Sequence, residues 1–309
     1  MISIISKEPS LTTTLSPNAE IVLTKRYLQP DESPDGLFWR VAKSVAEPEI
    51  HKEYYAKAFY EIMVSLDFLP NSPTLFNAGT GQGTLSACFK FDVPDSMDGI
   101  MEVARKSALV QKWGGGVGYT LSHLRPKGSP VKTTQRYAGG PVSFMKLYHG
   151  VATAVTQGGK RDGAQMAILH VDHPDVYEFI NSKNEDPQSL STFNISVAMT
   201  DEAMISRRDL LRKMAENAWK TGDPGCYFID EAERFNPTPQ LGFLTGTNPC
   251  GEVPLLDNEP CNLGSINLGN FVTNSNIDWT RLGEVIILAT RFLDDVVSIN
   301  EFPVPEIRD

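Results

Sequence analysis

What the sequence lacks narrows it first. Cysteine is scarce, with four residues in 309, at positions 88, 226, 250 and 261. That is too few and too scattered for the disulfide framework of a small secreted protein. No C-x-x-C pair occurs, and spacings of 138, 24 and 11 fit no zinc knuckle or ribbon. Long apolar runs are missing too: stretches such as Val285-Ile286-Ile287-Leu288-Ala289 fall far short of the roughly 18 apolar residues that span a bilayer. The opening Met-Ile-Ser-Ile-Ile-Ser-Lys has no basic start, apolar stretch and small-residue cleavage site in series, so no secretory signal is read there. Positive charge is in deficit, 28 Lys and Arg against 38 Asp and Glu, for a formal charge of −10. This argues against gripping a nucleic-acid polymer, while single cations remain for a small phosphate ligand. Repeats, low-complexity tracts, G-x-x-x-x-G-K-[ST] and H-E-x-x-H are absent. The expectation is a cytoplasmic globular protein without a membrane span or a metal site, and its 41% hydrophobic content suffices for a sizeable core.

The first seventy residues read as a helical region. Ser16-Pro17 and Ser33-Pro34 each pair an N-cap with proline at the first helical position, and Tyr54, Tyr55, Phe59, Ile62, Met63 and Leu66 recur at helical spacing. From residue 71 to 309 the pattern alternates. Leu85 to Val93, Val117 to Leu121, Gln165 to Val171, Phe193 to Met199 and Cys226 to Ile229 read as strands. Ser96 to Lys112, Val142 to Val155, Asp201 to Lys220 and Asp278 to Asn300 read as helices. Such alternation predicts an α/β architecture with five or six mainly parallel strands and sites at the strand C-terminal ends. Residues 236 to 267, rich in Gly, Pro, Asn and Thr, predict a loop of about thirty residues, a length that inside a domain is usually functional. Five or six strands are too few for a closed barrel of about eight or more.

Several segments could carry chemistry. In Asn248-Pro249-Cys250-Gly251-Glu252, an extended backbone would set Asn248, Cys250 and Glu252 on one side by the period of two; a surface turn around a buried thiol is the bland alternative. Cys261 precedes a strand, Cys88 lies in the first strand, and a reversible disulfide between them is admissible if their Cα atoms approach within about 7 Å. Cys226 reads as a small buried hydrophobe. Gly114-Gly115-Gly116-Val117-Gly118 follows a helix, unlike a dinucleotide fingerprint; it is either a glycine stop with close packing or a backbone brought against a ligand. Gln157 to Gly163 is a connector or an adjustable nucleotide-contacting loop. Asn71-Ser72-Pro73-Thr74 is a turn by default, with hydroxyls suited to phosphate. His51, His123, His149, His170 and His173 show no metal spacing and read as structural.

In combination these segments resemble the large catalytic subunit of ribonucleotide reductase, most closely its adenosylcobalamin-dependent class II branch. The stretches that carry the resemblance run in family order from about Leu15 to the last residue: Asn71 to Thr74, Ser86-Ala87-Cys88, Gly114 to Gly118 leading to Leu124-Arg125-Pro126-Lys127-Gly128, Gln157 to Gly163, Thr221-Gly222-Asp223-Pro224-Gly225, Asn248 to Glu252, and Cys261 to Leu268. The short gap from Cys250 to Cys261 and the lack of an N-terminal nucleotide cone favour class II over the diiron-dependent class I, which stays as an alternative.

The resemblance implies about half of a ten-stranded α/β barrel behind the helical region, with a long finger loop inside it. It implies reduction of ribonucleotides to 2′-deoxyribonucleotides. Cys250 would form a transient thiyl radical, Glu252 would act as general base, Asn248 would orient the reacting groups, and Cys88 with Cys261 would be the redox-active pair. Thr74, Ala87, Cys88, Gly116 and Asn248, Pro249, Cys250, Gly251 and Glu252 would line the substrate pocket. A deoxynucleoside triphosphate effector would sit near Asp95 and Arg125, with Gln157, Arg161 and Gln165 on the loop coupling effector to base choice. Adenosylcobalamin and an external dithiol of thioredoxin type are the implied cofactor and reductant. Since the family's second half-barrel is not matched, the expectation is one piece of a split enzyme or a truncated chain that needs a complementary C-terminal chain; pairing of two such chains is left open. The readings weighed against this are a non-catalytic deoxynucleotide-binding regulatory fragment, a glycyl-radical enzyme, for which no glycine-radical loop is seen, and a cysteine hydrolase, which leaves Cys88 and Cys261 unexplained.

Overall fold

The computed structural model describes residues 13–132, 135–156, 163–184 and 190–307. The chain divides into two compact units, Met1–Ala87 with Cys261–Phe302, and Cys88–Pro260 with Pro303–Asp309.

In the first unit the helices start where the cap residues place them. Ser16 and Ser33 accept from the N–H groups of Ala19 and Gly36 ahead of Pro17–Arg26 and Pro34–Val45, relieving otherwise orphaned first-turn donors. The helix Pro34–Val45 buries Leu37, Phe38, Val41, Ala42 and Val45, one stripe at helical spacing. Against it pack Lys52–Val64 and the long helix Trp279–Ile299, where Phe292 stands edge-on to both Phe59 and Phe68 with centroids 5.2 and 5.3 Å away. Asp278 caps this last helix by accepting from Arg281 N–H, as its sequence position predicts. Asn71 to Thr74 differs from the predicted turn: Asn71 Oδ1 accepts from Thr74 N–H at 2.9 Å, and this cap, with proline in the first turn, starts a short helix Ser72–Asn77. Strand Phe68–Pro70 pairs antiparallel with Gly264–Ile266.

The second unit bears out the predicted α/β class. Five strands, Cys88–Asp92, Gly116–Thr120, Gln165–His170, Phe193–Met199 and Gly225–Phe228, lie side by side in chain order and all parallel. Between each of these strands and the next one of the sheet the chain passes through a helix, as parallel crossovers require. The inner strands are apolar and buried, Gly116–Thr120 throughout, which is what a parallel sheet covered on both faces demands.

Three expectations need correction here. The helix read over Asp201 to Lys220 is two helices, Asp201–Ser206 and Arg208–Thr221. Arg207 breaks it at φ −105° and ψ 45°, with its guanidinium 3.5 Å from the carbonyl of Val171. The stretch 236–267 is not one open loop, since Gly246–Thr247 and Pro254–Leu255 form an antiparallel hairpin within it. Cys226, read as buried, is exposed, because its strand is the last of the sheet. No helix among the described residues is long and apolar enough to cross a membrane.

Candidate functional site

The hairpin is built on glycines. Along the strand Gly116–Thr120, residues 116, 118 and 120 share one face by the period of two, and two of the three have no side chain. A Cβ on Gly118 would lie 1.8 Å from the carbonyl oxygen of Thr247, and one on Gly116 would lie 2.6 Å from Pro249 Cγ. Likewise a Cβ on Gly246 would meet Thr120 Oγ1 at 2.5 Å. The hairpin backbone therefore rests directly on the strand, running from Thr120 at its end back to Gly116 at its start. Of the two readings open for the Gly114 to Gly118 run, each holds for different glycines. Gly114, at φ +86°, ends the preceding helix, and Gly115 packs on Val110 and Phe89. Gly116 and Gly118 admit a second backbone. Gly118, named in the run but not among the candidate site residues, shares this face with Gly116 by its spacing of two.

At the tip the chain turns rather than extends. Gly251 N–H donates to the Asn248 carbonyl at 3.2 Å, and Gly251 sits at φ +84°. Proline at the second turn position and glycine at the fourth are the chemistry of such a turn. The predicted sharing of one side by Asn248, Cys250 and Glu252 is thus overturned: Asn248 is buried, while Cys250 and Glu252 are exposed. Asn248 is the keystone. Its N–H donates to the Val253 carbonyl, its Oδ1 accepts from Val253 N–H at 3.1 Å, and its Nδ2 reaches Cys88 Sγ at 3.4 Å. Asn194 Nδ2 holds the Pro249 carbonyl at 3.0 Å. One thiol is thereby presented at the outside of a fixed turn, and another lies buried against the amide two residues before it.

Cys88 and Gly116 are the first residues of their strands, so the tip lies at the strand N-terminal ends. The expectation of a site at the C-terminal ends fails for these residues, because the hairpin descends the face of the sheet before it turns. The C-terminal ends instead border a cavity of about 390 Å³ lined by Thr120, Ser122, His170 and Thr245 among others. His173, read as structural, bonds the Leu124 carbonyl through Nε2 and accepts from Asp175 N–H.

The other predicted residues are placed as follows. In the first unit Thr74 is fully buried and its hydroxyl donates to the Leu85 carbonyl at 2.9 Å, while Ala87 N–H donates to the carbonyl of half-buried Cys261 at 3.0 Å. In the second unit Arg125 Nε donates to both carboxylate oxygens of Asp95, at 3.0 and 2.8 Å. Gln165 is buried, donating to the Tyr119 hydroxyl and the Tyr148 carbonyl and accepting from Thr192. Its amide is committed to the core, beside Tyr119 and Tyr148 rings stacked at 4.6 Å whose phenols burial pushes well up. Gln157 and Arg161 lie outside the described residues. Burial also raises the Cys226 thiol. No group of three or more His, Cys, Asp or Glu among the described residues could hold a metal ion.

Comparison with known proteins gives a consistent assignment. The ribonucleotide reductase all-alpha domain matches residues 13–83, and the ribonucleotide reductase barrel domain matches residues 86–207 and 203–309. The vitamin B12-dependent ribonucleoside-diphosphate reductase of Thermoplasma acidophilum is 44% identical, the alignment covering 95% of this chain and 42% of that protein. The enzyme of the same name from Mycobacterium tuberculosis strain CDC 1551 is 42% identical, with 95% and 47% covered. Among solved structures, the class Id ribonucleotide reductase alpha subunit of Actinobacillus ureae superposes with a TM-score of 0.78 at 25% identity, covering 92% of this chain and 54% of that one. The chain spans about half the length of the curated relatives it matches.

Proposed function

The chain belongs to the ribonucleotide reductase large-subunit family, and from that premise we propose that it carries thiyl-radical reduction of ribonucleotides to 2′-deoxyribonucleotides, in the vitamin B12-dependent manner for which its relatives are named. The observation that supports this best is the glycine-floored hairpin, which presents Cys250 on a fixed turn and sets the Asn248 amide on Cys88. Radical chemistry needs a thiol whose position does not wander, since a misplacement of about 1 Å can cost two orders of magnitude in rate.

The fit of a B12 group is supported by an open tip: Cys250 is exposed, and among the described residues a Cβ on Gly251 would meet only Met166 Cε, at 3.6 Å. Cys250 is the residue such a group must approach, and the one-electron oxidation of its thiol is the chemistry the group supplies when bound. The Cys250 sulfur then takes the ribose 3′ hydrogen atom and returns it to the 3′ carbon once the 2′ position is reduced, which regenerates the sulfur radical. Glu252 takes the 3′-hydroxyl proton as general base, and Asn248 orients the reacting groups. Cys88 and Cys261 give up two electrons as the 2′-hydroxyl leaves as water, becoming a disulfide that an external dithiol must reduce by exchange. Thr74, Ala87 and Gly116 are proposed substrate-binding positions. Asp95, Arg125 and the segment Gln157 to Gln165, with Arg161, are proposed for the deoxynucleoside triphosphate effector; a coupling of about 1–3 kcal/mol would shift base preference by one to two orders of magnitude.

Turnover is proposed to need the part of the family barrel that the relatives carry outside the matched region, whether on this polypeptide or a complementary one, and two such chains are proposed to pair. The test is deoxynucleotide formation by the completed enzyme with adenosylcobalamin, a ribonucleotide and a dithiol. Cys250→Ala should abolish it. Activity surviving that change would reject the proposal, and effector binding with no turnover under any completion would favour a regulatory fragment.

A further inference from the structure

Lys90 is fully buried and has no part in the chemistry above. It stands two residues from Cys88 on the same face of the strand Cys88–Asp92, the face the hairpin crosses. Its Nζ donates to Asp92 Oδ1 at 2.6 Å and to Thr245 Oγ1 at 2.5 Å, and Thr245 Oγ1 donates onward to Asp92 Oδ1 at 2.9 Å. These three groups close a triangle at the base of the hairpin's incoming leg. Gly246, next in line, would bring a Cβ to 3.3 Å from Lys90 Cε, so the leg passes directly over the lysine. The chain just beyond the outgoing leg is tied to the same residues by two backbone bonds and one side-chain bond. Lys90 N–H donates to the Glu259 carbonyl, Asn258 N–H donates to the Lys90 carbonyl, and Asp92 N–H donates to Asp257 Oδ1 at 2.7 Å.

We infer that Lys90 is a positioning residue, whose ion pair with Asp92 and bond to Thr245 set the height of the hairpin on the strand that carries Cys88. The inference deepens the radical reading, on which its functional meaning rests. An apolar side chain of the same length would fill the volume equally well. A buried ammonium with two oxygen partners does what a hydrocarbon cannot: it admits one register, because sliding the leg by a residue would leave a buried charge short of a partner. Height fixed at Thr245 is carried by the rigid antiparallel leg to Asn248, whose amide meets Cys88, and to Cys250 beyond.

The test uses the chain as it stands and reads each cysteine separately, by peptide mapping after timed alkylation. In the wild type Cys88 is buried under the Asn248 amide and should react slowly. Lys90→Met should release the leg and speed Cys88 alkylation by about ten-fold or more, the factor expected from losing a hydrogen bond to a charged group. Where Lys90→Met fails to fold, the deciding pair is at Thr245. Thr245→Val keeps the volume and loses the hydroxyl, and should expose Cys88 as Lys90→Met does. Thr245→Ser keeps the hydroxyl and should protect Cys88 as the wild type does. The opposite order, Val protected and Ser exposed, would mean that packing alone holds the leg and would overturn the inference, as would protection in both. Activity surviving in Cys250→Ala would remove the radical reading while leaving this result standing, so the two failures are distinguishable.

Discussion

Substituting alanine for Gly118 adds one methyl group at the worst place in the sheet. The new Cβ would stand 1.8 Å from the Thr247 carbonyl oxygen and 3.0 Å from its carbon, where ordinary contact begins near 3.4 Å, so the two backbones must part by about 1.5 Å. The strand cannot yield, because it is laddered on both sides, Gly118 standing opposite Lys90 in one neighbour and Met166 in the other. The hairpin must lift. Overpacking of this kind typically costs about 1–3 kcal/mol, and here the loss falls on the local opening of residues 246–255 rather than on the five-stranded ladder. Hydrogen exchange should therefore show the Asn248 and Val253 amides, which bond across the hairpin, losing roughly five- to thirty-fold or more in protection. Amides of Gln165–His170 should keep theirs. Gly150→Ala is the control: it lies within the helix Pro141–Thr156, a Cβ there meets nothing within 4 Å, and it should stabilise the protein by about 0.5–1 kcal/mol. If Gly118→Ala behaves like Gly150→Ala, the hairpin does not rest on that strand as described, and the account of the glycine run is wrong.

Asp295 supplies a pH test in the helical unit. Burial, and then the charge of Glu49, push its carboxyl from an ordinary 3.8 up to about 6, so the folded chain retains a proton that the unfolded chain gives up. Stability from this group is full below about pH 4 and is lost as pH rises through about 6. Asp295→Asn should remove that slope and gain about 1–2 kcal/mol at pH 8, after allowance for solvent screening; equal pH slopes in urea denaturation of the two proteins would refute it. Cys226 is exposed, yet partial burial of its sulfur raises its pKa. It should alkylate slowly at pH 7 and accelerate steeply on raising the pH past 9, whereas a rate that levels off below pH 8 would contradict the raised value.

Features set by neighbours along the chain were legible. Ser16, Ser33, Ser96 and Asp278 start helices because a cap needs only a side-chain oxygen and an N–H three residues on. The five strands were found to within about three residues because each is bounded by a helix or a glycine turn. Features set by distant partners were not. Cys226 looks apolar enough to bury, but whether its strand is flanked on one side or two is decided elsewhere. Lys90 was not singled out in the sequence, since one of its two partners, Thr245, lies 155 residues away. Asn248 to Glu252 carried its own correction: Pro249 and Gly251 stand at the second and fourth turn positions, and the surface turn held as the alternative is what forms, with Cys250 exposed rather than buried.

The two glycines and the lysine solve one problem from opposite directions. A thiol at the end of a polar loop would sample many positions, since an unsupported loop loses little on opening. Gly116 and Gly118 remove the side chains that would hold the loop off the sheet, so its backbone comes into contact with the stiffest part of the unit. Contact alone permits sliding, because a glycine floor is smooth and presents no side chain to catch a register. Lys90 supplies the catch at the base and Asn248 the catch at the tip, where its amide meets the Cys88 sulfur. Both catches belong to, or bear on, the same five-residue strand. The distance between the tip and Cys88 is thus set by one short segment of regular backbone, so a disturbance elsewhere in the sheet would move the hairpin and Cys88 together and leave their separation intact. A variant in the outer strand Gly225–Phe228 should for that reason change stability without changing how well Cys88 is protected.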